Sequence, residues 1–133
     1  MPAPDRTKSL EQLDGNVWPH NDFASHVVQE SQRLRKIPLS ALGVEGLRLL
    51  IGQKIGLEFI VPLAIEFVQD HPLIEATYYP GDLLSNLLAL PSAFWARHPE
   101  LNNSMVELGL ELRQIYERLG NELLPALERF QYQ

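Results

Sequence analysis

The stretch from Ile51 to Phe67, IGQKIGLEFIVPLAIEF, limits the possible folds of this chain more than any other. It is mostly apolar and so demands burial, yet two glycines, a lysine, a proline and two glutamates interrupt it. Its longest charge-free run, Phe59 to Ile65, is far short of the about 18 residues that a membrane-crossing helix needs. A membrane span is therefore not expected here. Gly52 and Gly56 form a G-x-x-x-G, which outside a long apolar segment says only that something packs closely against the backbone. The stretch reads as a tight joint between two helices in a core, with Glu58 and Glu66 turned outward or capping.

The flanking sequence continues in helical terms. Ser9-Leu10-Glu11-Gln12 has the form of a capping box and predicts a short helix that ends by Gly15. After an extended linker through Trp18-Pro19, Asn21 or Asp22 caps a second helix to about Lys36, with Phe23, Val27 and Leu34 on its inner side. Leu47, Leu50 and Ile51 recur at helical spacing from Val44, and the next regular helix starts near Phe59 to Pro62 and ends at Asp70. Pro80-Gly81-Asp82 opens another helix, closed by Pro91, and a short turn around Ser92 to His98 leads to Pro99 at the head of a long one. Leu101, Met105, Leu108, Leu112, Ile115 and Leu119 form the apolar stripe of a docked helix. Gly120 is a point of bending, and Pro125 either bends the helix again or starts a separate last turn. The alternation needed for a sheet is missing. The expectation is an all-α, single-domain bundle of five to six helices over residues 9–133, behind a flexible tail at residues 1–8.

The net charge of −6 is unevenly distributed. Residues 29–54 carry two acids and five bases, whereas residues 55–96 carry five acids and no base. Such a block repels nucleic acid and anionic lipid and attracts basic partners. The basic run Arg33-Leu34-Arg35-Lys36 is the counter-signal, but its place in the last turn of a helix already suits the dipole, and nucleic acid is not expected as a partner.

A search for chemistry finds no scaffold for it. The chain has no cysteine, which fits a reducing compartment and removes thiolate metal sites. The four histidines, His20, His26, His71 and His98, have no second ligand at helical spacing. His71 and His98 read as helix-end residues and His26 as an interfacial or core one. Nucleotide-binding glycine motifs and a nucleophile elbow are missing too. Asp82 occupies the positive helix pole that a phosphate would need, so it reads as an N-cap or first-turn acid. Glu58, Glu66, Asp70 and Asp82 form a solvated face, a carboxylate pair for acid–base work, or a surface for a cationic partner. Tyr78 and Tyr79 add the amphipathic contact area that interfaces use, although adjacent tyrosines also serve as core packing.

Four segments carry a resemblance: Ser9 to Leu13 (SLEQL), Arg33 to Leu39 (RLRKIPL), Leu47 to Glu66 (LRLLIGQKIGLEFIVPLAIE) and Tyr78 to Leu84 (YYPGDLL). In order and spacing the chain resembles the immunity proteins of bacterial contact-dependent growth inhibition systems over about Ser9 to Trp95. The resemblance implies a cytoplasmic, non-catalytic protein without cofactor, metal or small-molecule substrate. Such a protein binds and neutralises the C-terminal toxin domain of a delivered effector. Where a hydroxyl cap is expected before Val44, this chain has Gly43. The resemblance transfers no contact residues. The acidic block and the tyrosines supply the candidate toxin-binding set: Glu58, Glu66, Asp70, Glu75, Tyr78, Tyr79 and Asp82. The chain is expected to be a monomer or weak homodimer, and a helical adaptor for an endogenous basic partner is the alternative reading.

Overall fold

The computed structural model describes residues 3–133, and among these every regular element is helical. Helix α1 (Leu10–Asp14) starts at the expected capping box: Ser9 Oγ accepts from the Gln12 N–H at 3.3 Å, and Gln12 Oε1 accepts from the Ser9 N–H at 2.9 Å. Gly15, at φ +68°, ends it. Helix α2 (His26–Leu34) is shorter than its sequence suggests. Asn21 Oδ1 accepts from the Phe23 N–H at 3.0 Å and closes a turn of its own, so the helix waits for the next cap, Ser25. Phe23 is consequently 99% exposed, Val27 is exposed and His26 stands on the surface; of the expected inner residues Leu34 is buried, with Ser31 beside it.

The basic run at the end of α2 is engaged internally. Arg33 pairs with Glu30 and Lys36 with Glu11, while Arg35 is buried, ion-paired with Asp14 at 2.9 Å and stacked on Trp18 at 4.5 Å. The Glu11 N–H also donates to the Arg35 carbonyl at 3.1 Å, so α1 and the end of α2 are clamped together. Residues 5–8, expected as part of a free tail, are held as well. The Ser40 N–H donates to the Arg6 carbonyl and the Leu39 N–H to the Lys8 carbonyl, each at 3.0 Å. Met1 and Pro2, the first residues of that expected tail, lie outside the described residues.

A 3₁₀ turn (Leu39–Ala41) leads into α3 (Gly43–Gly52). Gly43 has φ +65°, which explains a glycine where a hydroxyl residue was expected: the backbone is left-handed there. Helix α3 ends in a Schellman motif, with Ile55 N–H donating to the Leu50 carbonyl at 2.9 Å and Lys54 N–H to the Ile51 carbonyl at 3.0 Å. Lys54 takes the left-handed position, φ 58°, that glycine usually fills. Gly56, φ +61°, then starts α4 (Leu57–Asp70). A Cβ there would stand 2.7 Å from Leu10 Cδ2, so a glycine is required twice over. Helix α4 starts earlier than expected and Pro62 lies inside it, in the second turn; the proline gives no N–H to the carbonyl of Glu58, a residue on the exposed side of the helix.

Leu50 and Ile51 of α3 meet Ile60, Val61, Ala64 and Val68 of α4 and Leu83 and Leu87 of α5 (Asp82–Leu88) in the fully buried centre. Ser92–Arg97 forms a further helix, α6, because Phe94 turns inward onto that core. The long helix α7 (Pro99–Arg118) starts on Pro99 as expected and packs through Leu101, Met105, Leu108 and Leu112. Its stripe outruns the core, for Ile115 and Leu119 are exposed. A π turn (Leu119–Leu123) at Gly120 joins α7 to α8 (Leu124–Leu127), so Pro125 starts a last turn on a continuing rod. These short additions lift the helix count above the expected five to six.

The joint makes two opposite predictions for equilibrium urea unfolding. Gly56→Ala is expected to cost about 2–4 kcal/mol, from the clash with Leu10 and the left-handed backbone together. Lys54→Gly relieves a strained residue and is expected to stabilise the fold by about 0.5–1 kcal/mol.

Candidate functional site

Loop 71–81 sends only Ala76 and part of Ile74 into the core, and a single carboxylate ties much of its backbone. Asp82 is the first residue of α5 and only 1% exposed. Its Oδ1 accepts from the Ala76 N–H at 2.7 Å, and its Oδ2 accepts from the Thr77 N–H at 2.9 Å and the Tyr78 N–H at 2.8 Å. Burial works to raise its pKa. The backbone N–H groups of Tyr78, Ala76, Thr77 and Tyr79 outweigh that effect and hold it at about 2. Asp82 is thus a first-turn acid, but its carboxylate faces back into the loop rather than outward. It is closed to any partner, which removes it from the candidate binding set and from any carboxylate pair.

Behind the loop, Arg48 Nε lies 3.6 Å from Asp82 Oδ2, and the guanidinium carbon sits 4.4 Å from the centre of the Tyr78 ring. Asn86 Nδ2 donates to the Arg48 carbonyl at 3.1 Å, tying α5 to α3. Buried anion, half-buried cation and tyrosine therefore form a stack that ends at the surface. Tyr78 is 70% exposed and Tyr79 51% exposed, and Leu73 of the same loop is exposed as well. An antiparallel bridge between Glu75 and Pro80 narrows the base of the loop.

The second feature is a groove of about 650 Å³ between the start of α3 and the outer side of α4. Leu39, Leu47, Leu63 and Phe67 supply its apolar lining, and Glu66 and Asp70 both face it. Arg6 also lines it and pairs with Glu66. Both partners of that pair are about half exposed, so the contact is worth about 0–1 kcal/mol and a competing cation can replace it. The groove offers an apolar floor for the stem of a long side chain and carboxylates for a cationic head.

The candidate residues thus separate into distinct positions. Glu58, Asp70 and Glu75 are exposed and outside any ion pair among the described residues; Glu66 is exposed but paired; Asp82 is internal. Glu66 and Asp70 share one groove, whereas Glu58, at the first turn of α4, does not line it. The acids of residues 55–96 are therefore divided among separate positions and do not form one plate of negative charge.

Sequence reasoning missed Arg48 and Arg6, because each acts across a gap of more than thirty residues. The one available signal for Arg48 was its position on the apolar helix α3, where a base needs a partner. His71 and His98 stand at helix ends, as their sequence neighbours suggested. No cluster of three potential metal-binding side chains exists among the described residues, and no described helix is long and apolar enough to cross a membrane.

A family model for CDI immunity proteins matches residues 12–105. No curated protein and no solved structure matches the chain.

The caged carboxylate makes stability depend on pH. Its folded pKa lies below the ordinary carboxylate value, so the unfolded chain binds the proton more readily and the stabilisation is complete only above about pH 4. As pH falls from about 5 through 2 to about 1, about 2–3 kcal/mol is expected to be lost progressively. In Asp82→Asn that segment of the stability–pH curve is expected to flatten, while stability at pH 7 falls by about 2–4 kcal/mol because an amide cannot accept from three N–H donors without turning its own donors on them. Urea melts at several pH values, on both proteins, measure this.

Proposed function

Because the chain belongs to the CDI immunity proteins, we propose that it binds and neutralises the cognate C-terminal toxin domain of a contact-dependent growth inhibition effector, in the cytoplasm and without catalysis. The observation that carries this reading is the exposed face of α4 and the following loop. Residues 55–96 contain no base; Glu58, Asp70 and Glu75 are exposed, Glu66 and Asp70 share the groove, and Tyr78 and Tyr79 are exposed on the loop that follows.

Electrostatics and packing divide the work on such a surface. A toxin that acts on nucleic acid needs a cationic cleft, and carboxylates on a rigid helix can take the place of substrate phosphates there. The groove receives a lysine or arginine of the toxin, its stem on Leu47 and Leu63 and its head between Glu66 and Asp70. Tyr78 and Tyr79 add contact area at low entropy cost, Tyr78 being held already by Arg48.

Co-expression with the cognate toxin domain tests the reading directly. Growth is expected to be rescued; a failure of rescue with both proteins soluble sinks the proposal. The double variant Glu66→Lys, Asp70→Lys is expected to weaken binding by about ten- to thousandfold, with the association rate falling and the salt dependence flattening. Tyr78→Ala is expected to act mainly on the dissociation rate. Surface plasmon resonance at two ionic strengths separates these effects.

A further inference from the structure

Beyond Leu112 the rod leaves the core, but its apolar pattern continues. Ile115, Leu119, Leu123 and Leu127 step by four, with Tyr116, Leu124 and Phe130 alongside, and these seven side chains are between 39 and 74% exposed. In an ordinary α-helix a stripe stepping by four drifts around the axis by about 40° per step. The π turn lies between Leu119 and Leu123, and its wider i→i+5 turn takes up an extra residue and counters that drift. The leucines therefore keep to one side of the rod. This half of the rod also lies outside residues 12–105, the part matched by the family model.

We infer that this stripe packs against the same stripe of a second copy of the chain, in a two-fold antiparallel pair. Charge selects the occupant. Residues 113–129 carry three bases, Arg113, Arg118 and Arg129, and three acids, Glu117, Glu122 and Glu128, and are neutral overall. A cationic toxin is drawn to the acidic block of residues 55–96, where no base competes, and has no such attraction to a balanced segment. A balanced segment suits its own copy, because a two-fold axis sets each patch against itself and an antiparallel arrangement can set base against acid. Size agrees with this. The seven side chains present on the order of 700 Å² of surface, close to the about 800 Å² that each partner contributes to a stable interface. Gly120 falls between Tyr116 and Leu124 at helical spacing, and a Cβ placed on it would meet nothing within 4 Å of its own chain. A second helix can approach closely at that point.

Pairing through the rod is independent of toxin binding, and its test is separate. Sedimentation equilibrium of the full chain at micromolar concentration is expected to give twice the monomer mass. The double variant Leu123→Glu, Leu127→Glu changes residues that are exposed in the single chain, so its far-UV circular dichroism should be retained. The variant is expected to sediment as a monomer, with the dimer dissociation constant raised at least about a hundredfold. A monomeric wild type, or a double variant that remains dimeric, overturns the inference. A monomeric wild type whose toxin affinity drops in the double variant overturns it too, by assigning the stripe to the toxin. Vesicle binding by a monomeric wild type does so by assigning it to a lipid surface. Rescue of growth by the double variant is expected to equal wild type.

Discussion

The contact between Gly56 and Leu10 sets the geometry on which the other packing depends. Leu10 is fully buried, and its methyl groups approach the backbone of the α3–α4 joint more closely than any side chain at position 56 permits. Through that contact, helix α1, held to α2 by the Arg35–Asp14 and Lys36–Glu11 pairs, closes one end of the α3–α4 pair. The Schellman motif at Leu50 to Ile55 fixes the angle at which α4 departs. Once that angle is set, Ile60, Val61, Ala64 and Val68 must face inward, and Glu66, Phe67 and Asp70 come out over the groove. The acidic face is therefore a consequence of backbone constraints some distance from it.

Loop 71–81 shows how a buried charge can serve an exposed surface. Asp82 costs the chain an anion in the interior, which is tolerable because three backbone N–H groups and a nearby guanidinium replace the lost water. In return the loop backbone is tied at three points, and the exposed Tyr78 ring rests on Arg48. An interface built on pre-positioned aromatic side chains loses less entropy on binding than one built on a free loop. The same acid was a candidate contact only because it continues a run of acids in the sequence; its role is to position, and the contacts fall to its neighbours.

Much of the fold was legible because its signals are local. The capping box at Ser9 and Gln12, the glycine stop at Gly15 and the start of α7 at Pro99 depend on residues within one turn of each other. The α2 boundary failed on a competition between two caps four residues apart, Asn21 and Ser25, which sequence alone does not decide. The stripe through Ile115 and Leu119 was read as buried, since periodicity shows that a face is apolar and says nothing of what covers it. The candidate site was legible in composition but not in geometry. A block of residues with five acids and no base does not reveal that Arg6 covers one of the acids from sixty residues away, nor that the loop amides enclose another.

Separating the two surfaces along the chain resolves an electrostatic conflict. Each copy carries a net charge of −6, so any pairing of copies works against mutual repulsion, and any approach to a basic toxin benefits from the same charge. A dimer formed across α4 would bring the acids of residues 55–96 face to face and hide the groove. The inferred pairing through residues 113–129 would bring together segments that are neutral overall and would use none of the residues that line the groove. The two associations then respond oppositely to ionic strength. Salt screens the attraction between acidic face and toxin, and it equally screens the repulsion between two negative copies whose contact is apolar. A single variable, the ionic strength, therefore distinguishes a surface that works by charge from one that works by burial.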